Sequence, residues 1–287
     1  MKYGFIERHD QEFSVQRMCE VLAVSRSGYY EWRNQSGNAK YDRDQALLEH
    51  IRLVHQQTRE AYGAKKTWLT LNDQGIACGK HRVARLRKLA GIEARRKRRF
   101  RLVVESHATA PPAPNLLQQR FAADAPNQAW VGDMTFIRTR AGFLYLAVLL
   151  DLFGRRVVGW SMSDKPNVAL VLGALDMAIE QRRPAAGLIH HSDQGAVYGA
   201  GDYRQTLLRH GMLASMSAKG NAYDNAVAES FFGNLKNELV HHRDFASREA
   251  ARSAIFDYIE VFYNRTRIHQ TLGYVSPMQF EQEHGVT

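Results

Sequence analysis

With 287 residues and 45% hydrophobic content, the chain can bury a sizeable core and support two or three domains. Its longest apolar run, Leu144–Leu150, is far too short to cross a bilayer. Glu7 and Asp10 stand where a signal peptide would be apolar, so a soluble intracellular protein with no membrane partner is expected. The formal charge of +10 is lopsided: residues 1–123 hold 23 Lys and Arg against 12 Asp and Glu, residues 124–287 hold 16 against 17. A basic front joined to a balanced rear points to a polyanion-gripping module attached to something else.

Residues 13–33 predict two short helices about a turn near Ala23–Ser25, with Ser25 capping the second. This suits a DNA-reading helix-turn-helix and equally any helical hairpin. Cys19 and Cys78 are far apart and lack metal-ligand spacing, so no zinc site is expected. After a polar break at Asn34–Lys40, helices are predicted over Asp44–Gln57, Lys65–Asn72 (ended by Gly75) and Lys80–Ala90. In the last of these, Val83, Leu86 and Leu89 would face inward, leaving Lys80, Arg82, Arg85, Arg87 and Lys88 outside. Arg95, Arg96, Lys97, Arg98 and Arg99 follow at once. From Arg82 to Arg101 there are ten Lys or Arg and one acid, a density that would release many counterions from a duplex and make binding steeply salt-dependent. All ten named cations are candidate DNA contacts. Pro111, Pro112, Pro114 and Pro126 mark Val103–Asn127 as a linker.

From Trp130 the pattern turns to strands. Val131, Asp133, Thr135 and Ile137 alternate onto one face, Phe143–Phe153 is nearly all apolar, and Arg155–Ser163 runs back, together an antiparallel meander. Asn167–Gln181 (helix), Gly187–Asp193 (strand), Asp202–His210 (helix) and Met212–Ser217 (strand) complete an α/β layered domain. In the predicted helix Asn221–Leu239, Val227, Phe231, Leu235 and Leu239 form an apolar stripe. Asn225, Glu229, Phe232, Gly233 and Lys236 lie on the other side. Arg248–Tyr263 is a further amphipathic helix.

Three acids stand out: Asp133 within a strand, Asp193 at the C-terminal end of a buried one, and Glu229 on the helix. Buried carboxylates are costly unless paired or bound to cations, and three converging ones suit Mg²⁺ or Mn²⁺. Asp151 reads as structural.

Thirty-five residues separate Asp193 from Glu229. That interval, with WVGDMT at 130–135, DLFGRRVVGW at 151–160, HSDQG at 191–195, DNAVAESFF at 224–232 and YNRTRIHQTLGYVSP at 263–277, resembles insertion-sequence transposases of the IS-three family, specifically the downstream-frame product. The resemblance spans nearly the whole chain. It implies a ribonuclease-H-like core, a mixed five-stranded sheet with helices, preceded by small all-helical modules. The implied organisation is a helix-turn-helix-like segment at 1–40, a basic helical DNA-binding domain at 41–102, a linker at 103–123, and a DDE catalytic domain with a helical extension at 124–287.

The same resemblance implies metal ligands at Asp133, Asp193 and Glu229, a pair of Mg²⁺ or Mn²⁺ ions, and DNA contact at Lys236. His190, His191 and Asn225 are candidates to support the site, although a satisfied structural histidine is the commoner role. The expected partners are element ends and target DNA, further copies of the chain, and an upstream-frame DNA-binding product, in the nucleoid-associated bacterial cytoplasm. Two alternatives stay open: a structure-selective nuclease, and an inert DNA-binding regulator.

Overall fold

The computed structural model describes residues 2–35, 39–95, 112–217 and 225–286. The chain divides into two compact units, Met1–Gln57 with Tyr62–Glu93, and Thr58–Ala61 with Ala94–Thr287.

The first unit is helical. Its leading helices, α1 (Lys2–Arg8), α2 (Val15–Val21) and α3 (Arg26–Gln35), close around Ile6, Met18, Cys19 and Tyr29. Ser14 accepts a hydrogen bond from the Arg17 amide at 3.3 Å and Ser25 one from Gly28 at 3.2 Å, so each of the two expected helices starts on a serine cap. The turn between them puts Ala23 in the left-handed region, at φ 49°. The short α1 was not expected, since seven residues with one buried apolar side chain carry no readable stripe.

Next come α4 (Ala39–Gln57), α5 (Ala64–Asp73) and α6 (Lys80–Leu89), packed around Leu47, Ile51, Val54, Leu71, Val83 and Leu86. Helix α4 begins five residues before the expected Asp44. One inward assignment fails: Leu89 is 74% exposed, and Arg87 takes the inward place at 4%. At about 100° per residue, positions 83, 86, 87 and 90 share a face and position 89 lies well off it. Arg87 is accommodated because it donates to Thr67 Oγ1 (3.0 Å) and to the Tyr62 carbonyl (2.9 Å).

The second unit holds a five-stranded sheet in the order β3-β2-β1-β4-β5, mixed as the resemblance implies. Strands β1 (Ala129–Thr139), β2 (Gly142–Asp151) and β3 (Val157–Ser163) form the antiparallel meander. Helix α7 (Val168–Arg182) then crosses to β4 (Ile189–Ser192), and α8 (Gly201–Arg209) to β5 (Leu213–Met216), both strands parallel to β1. From Leu146 to Leu150 β2 is apolar because both faces are covered there. Leu144, Leu146, Val148 and Leu150 join one core, while Ala147 and Leu149 join the other, under α7. Helix α7 lies so close to β3 that a Cβ on Gly159 would fall 2.2 Å from the Ala174 carbonyl oxygen.

The first core is roofed by α9 (Ala226–Glu238) and α10 (Arg248–Phe256), and α11 (Pro277–Glu283) follows. The helix expected to run unbroken to Tyr263 widens into a π-helical stretch at Asp257–Tyr263. It delivers Asn264 to β3, where the side-chain amide exchanges two 3.0 Å hydrogen bonds with the backbone of Val157. Part of the expected linker touches the sheet domain. Leu117 is buried in the core, and the Leu116 amide donates to Ser215 Oγ at 2.9 Å. Among the described residues, no helix is long and apolar enough to cross a membrane.

Candidate active site

Sheet register brings two of the three acids together. β1 and β4 pair in parallel at Ala129↔Ile189, Trp130↔His190 and Val131↔His191. Two residues further along each chain stand Asp133 and Asp193, level with each other just beyond the point where β4 ends. Asp133 remains within β1, opposite Val148 of β2. Its Oδ1 accepts from the Met134 amide at 2.7 Å, and Asp193 Oδ1 accepts from Gly195 at 2.9 Å. Gly195 must lack a side chain for this: a Cβ there would come within 2.8 Å of that oxygen.

Glu229 lies in the first turn of α9 on an exposed face. Burial, the Asp193 charge and, more weakly, Glu229 push the Asp133 carboxyl up to about 8, opposed by the Met134 amide and by Lys236. Burial also raises Asp193, against the Gly195 hydrogen bond. Lys236 is lowered by burial and supported by Asp133. The three acids and the lysine therefore share one field. Among the described residues, however, no group of three or more His, Cys, Asp or Glu is gathered closely enough to hold a metal ion. Asp133 and Asp193 form a half-buried pair with little compensating charge, while Glu229 stands exposed outside it.

The other expected members divide. His190 and His191 are buried within the sheet and have partners of their own: Tyr203 OH lies 2.8 Å from His190 Nε2, and Ser215 Oγ lies 2.8 Å from His191 Nδ1. Burial and the neighbouring His191 lower His190 to about 4, so it stays neutral. These bonds give both histidines the satisfied structural setting that is the commoner role for such residues. Asn225 is buried at the start of α9 and donates to the Gly132 carbonyl at 3.4 Å, next to Asp133, while its Oδ1 has no partner. Sequence reasoning passed over Tyr198, a buried ring 6.3 Å from His190 and 5.4 Å from Tyr203. Burial and then the Asp133 charge keep its phenol protonated well above the usual range. Its position five residues after Asp193 was the available signal.

The basic candidates also separate. Lys80 and Lys88 are exposed on α6. Arg82 and Arg85 both donate to Asp44, at 2.7 and 2.6 Å, and Arg95 donates to Glu60 at 2.8 Å. Arg87 is buried with partners of its own rather than on the outer face expected for it. Arg96, Lys97, Arg98 and Arg99 lie outside the described residues.

Two family profiles described as integrase core domain match residues 123–222 and 229–284, and one described as HTH-like domain matches residues 42–100. The HTH-like match thus falls on α4–α6 and not on α2–α3. The chain is 45% identical over 267 residues to the insertion element IS600 uncharacterized 31 kDa protein of Shigella sonnei, covering 93% of this chain and 98% of that one. It is 42% identical over 287 residues to the transposase InsF for insertion sequence IS3A of Escherichia coli K12, covering 99% of each. Among solved structures, the magnesium complex of the HTLV-2 integrase catalytic core (trimeric form) aligns at 18% identity and TM-score 0.43, covering 55% of this chain and 97% of that one. The simian T-cell lymphotropic virus intasome aligns at 15% and 0.45, covering 80% and 73%.

Proposed function

The chain belongs to the IS3 family of insertion-sequence transposases that includes InsF, and from that premise we propose that Asp133, Asp193 and Glu229 are the acids at which it cuts and joins DNA. The observation that carries this reading is the level placement of Asp133 and Asp193 on adjacent parallel strands, in a field that raises Asp133 to about 8. Hard carboxylate oxygens crowded without enough positive charge are the donor set a divalent cation fits. Asp133 and Asp193 would hold it and Glu229 would complete the site. Once bound there, a pair of Mg²⁺ or Mn²⁺ ions supplies Lewis-acid stabilisation of the attacking and leaving oxygens.

The reaction needs no covalent enzyme intermediate. Water first attacks the phosphodiester at the element end, one P–O bond forming as another breaks, and a 3′-hydroxyl is released. That hydroxyl then attacks a target phosphodiester in line, exchanging one P–O bond for another and expelling the target's own 3′-oxygen. Asp133 and Asp193 would act on the scissile phosphate only by holding the cation, since bare carboxylates repel that anion. Lys236, seven residues after Glu229, balances its charge, and exposed Lys80 and Lys88 grip the flanking backbone. Joining two ends at once calls for several copies of the chain on the DNA, and a product of an upstream reading frame is a candidate further partner.

Strand transfer of labelled end DNA in Mg²⁺ tests the reading. Asp193→Asn and Glu229→Gln should each lower joining by at least about a hundredfold, and full activity in either would end the assignment. Products that are cut but never joined would favour the nuclease alternative.

A further inference from the structure

At the far end of the β1–β2 hairpin, the sheet carries a block of side chains that its helices do not cover. The register sets Phe136 opposite Tyr145 and Arg138 opposite Phe143. Residues two apart, and residues directly opposite across an antiparallel pair, share a face, so all four project from one side. Nearer its middle, the same side is sealed by α7 over Ala147 and Leu149. Here Phe136 and Phe143 stay 39% and 46% exposed, Arg138 is exposed and Tyr145 is half-buried. Phe136 and Phe143 meet edge to face at 5.2 Å, and Phe143 lies 6.4 Å from Tyr145. Lys236 Nζ stands 5.5 Å from the Phe136 ring centroid, and the same ammonium is in the field of Asp133. Alternation sets this block on the sheet face opposite Asp133, and Lys236 links the two around the edge of β1 that β4, ending at Ser192, leaves unpaired.

Flat apolar rings flanked by two cations suit one kind of occupant. A base-paired duplex offers side chains its phosphates and base edges, whereas an unpaired strand also offers base faces. Exposed rings on a sheet, with Arg or Lys at their margin, stack such faces and tolerate any base. We propose that Phe136, Phe143 and Tyr145, bordered by Arg138 and Lys236, stack one or two unpaired bases of the DNA strand whose phosphate lies at Asp133 and Asp193. This rests on the DNA-joining reading above. It adds that the enzyme takes its strand with bases out of the duplex next to the reacting phosphate.

The test uses the full chain carrying Asp193→Asn, so that binding is scored apart from cutting. The probe is an oligonucleotide duplex with a short unpaired tail containing 2-aminopurine. Stacking should quench the fluorophore on binding. Phe143→Ala and Phe136→Ala should each weaken tail binding about tenfold and restore the fluorescence, and Phe143→Trp should keep the quench. Affinity for the fully paired duplex should change less than about twofold. Phe143→Leu keeps an apolar strand residue and should lose the quench as well, which guards against simple misfolding of the alanine variant. Unaltered quenching in these variants, equal losses on tailed and paired DNA, or altered self-association with quenching intact would overturn the platform. Strand joining that persists in Asp193→Asn would instead sink the underlying reading, and it is measured separately.

Discussion

Two sets of acids in the same sheet unit, one buried and one half-buried, have opposite surroundings. Asp151, at the end of β2, is fully buried and accepts hydrogen bonds from Asn127 (2.8 Å) and Phe153 (3.0 Å), with Arg182 at 3.7 Å. Arg182 also pairs with buried Glu281, which takes a second arginine, Arg156, at 2.7 Å. The same pattern recurs where Arg267 grips Glu238 at 2.7 Å, both nearly buried. Asp133 and Asp193 have instead one short backbone hydrogen bond each, carboxylates for neighbours and a single lysine nearby. Burial raises Asp151 as well, but there two backbone hydrogen bonds and Arg182 oppose it, whereas the second set is short of positive charge. Burial of an acid is thus no indicator of function; the supply of cations around it is.

The largest effect expected from this contrast is on the satisfied side. Arg182→Met leaves Asp151 and Glu281 buried without their shared cation and should cost about 3–5 kcal/mol in denaturant unfolding. A loss under about 1 kcal/mol would show that the network is dispensable. Asp133→Asn should act with the opposite sign in metal-free buffer. A carboxyl raised from 3.8 when unfolded to about 8 when folded carries no ionisation penalty below pH 4. The penalty grows as pH rises through that window and is complete above about 8. The Tm of Asp133→Asn relative to the parent chain should therefore climb between pH 4 and pH 8; a flat or falling difference breaks the contrast.

A smaller effect is expected at the basic helix. Lys80→Ala or Lys88→Ala should weaken DNA binding across sequences and reduce the salt slope by about one unit each. The same substitution at buried Arg87 should register mainly as lost stability. Smallest of all, Asp244 pairs with Arg140 in open solvent at 2.6 Å. Asp244→Asn should leave the unfolding midpoint nearly unchanged, because exposed pairs contribute little.

Much of this was legible in the residues themselves. Alternation placed Asp133 on its strand face, the apolar run placed β2 and β4, and the four-residue stripe placed α9 against the core with Phe231 and Leu235 buried. Periodicity also put Phe232 on the outer side, yet it is 6% exposed and joins the core that β1 and β2 form with that helix. Long-range neutralisation left no local trace. Asp44, which holds Arg82 and Arg85, lies 38 and 41 residues from them, and Glu281 lies 99 from Arg182. Charge density along the chain therefore overstated the free basic surface. The partners of His190 and His191 likewise come from α8 and β5, elements that no window around HSDQG contains. Glu229 was legible through its interval to Asp193, and the stripe that turned it away from the core also made its exposed setting legible.

The central claim is that Asp133 and Asp193 await a divalent cation, and titrating Mg²⁺ or Mn²⁺ into the full chain while following Tm tests it most directly. The account predicts a concentration-dependent rise in Tm at pH 8 that is lost in Asp133→Asn and Asp193→Asn and retained in Asp244→Asn. An equal rise in all four proteins, or none in the parent chain, would contradict it.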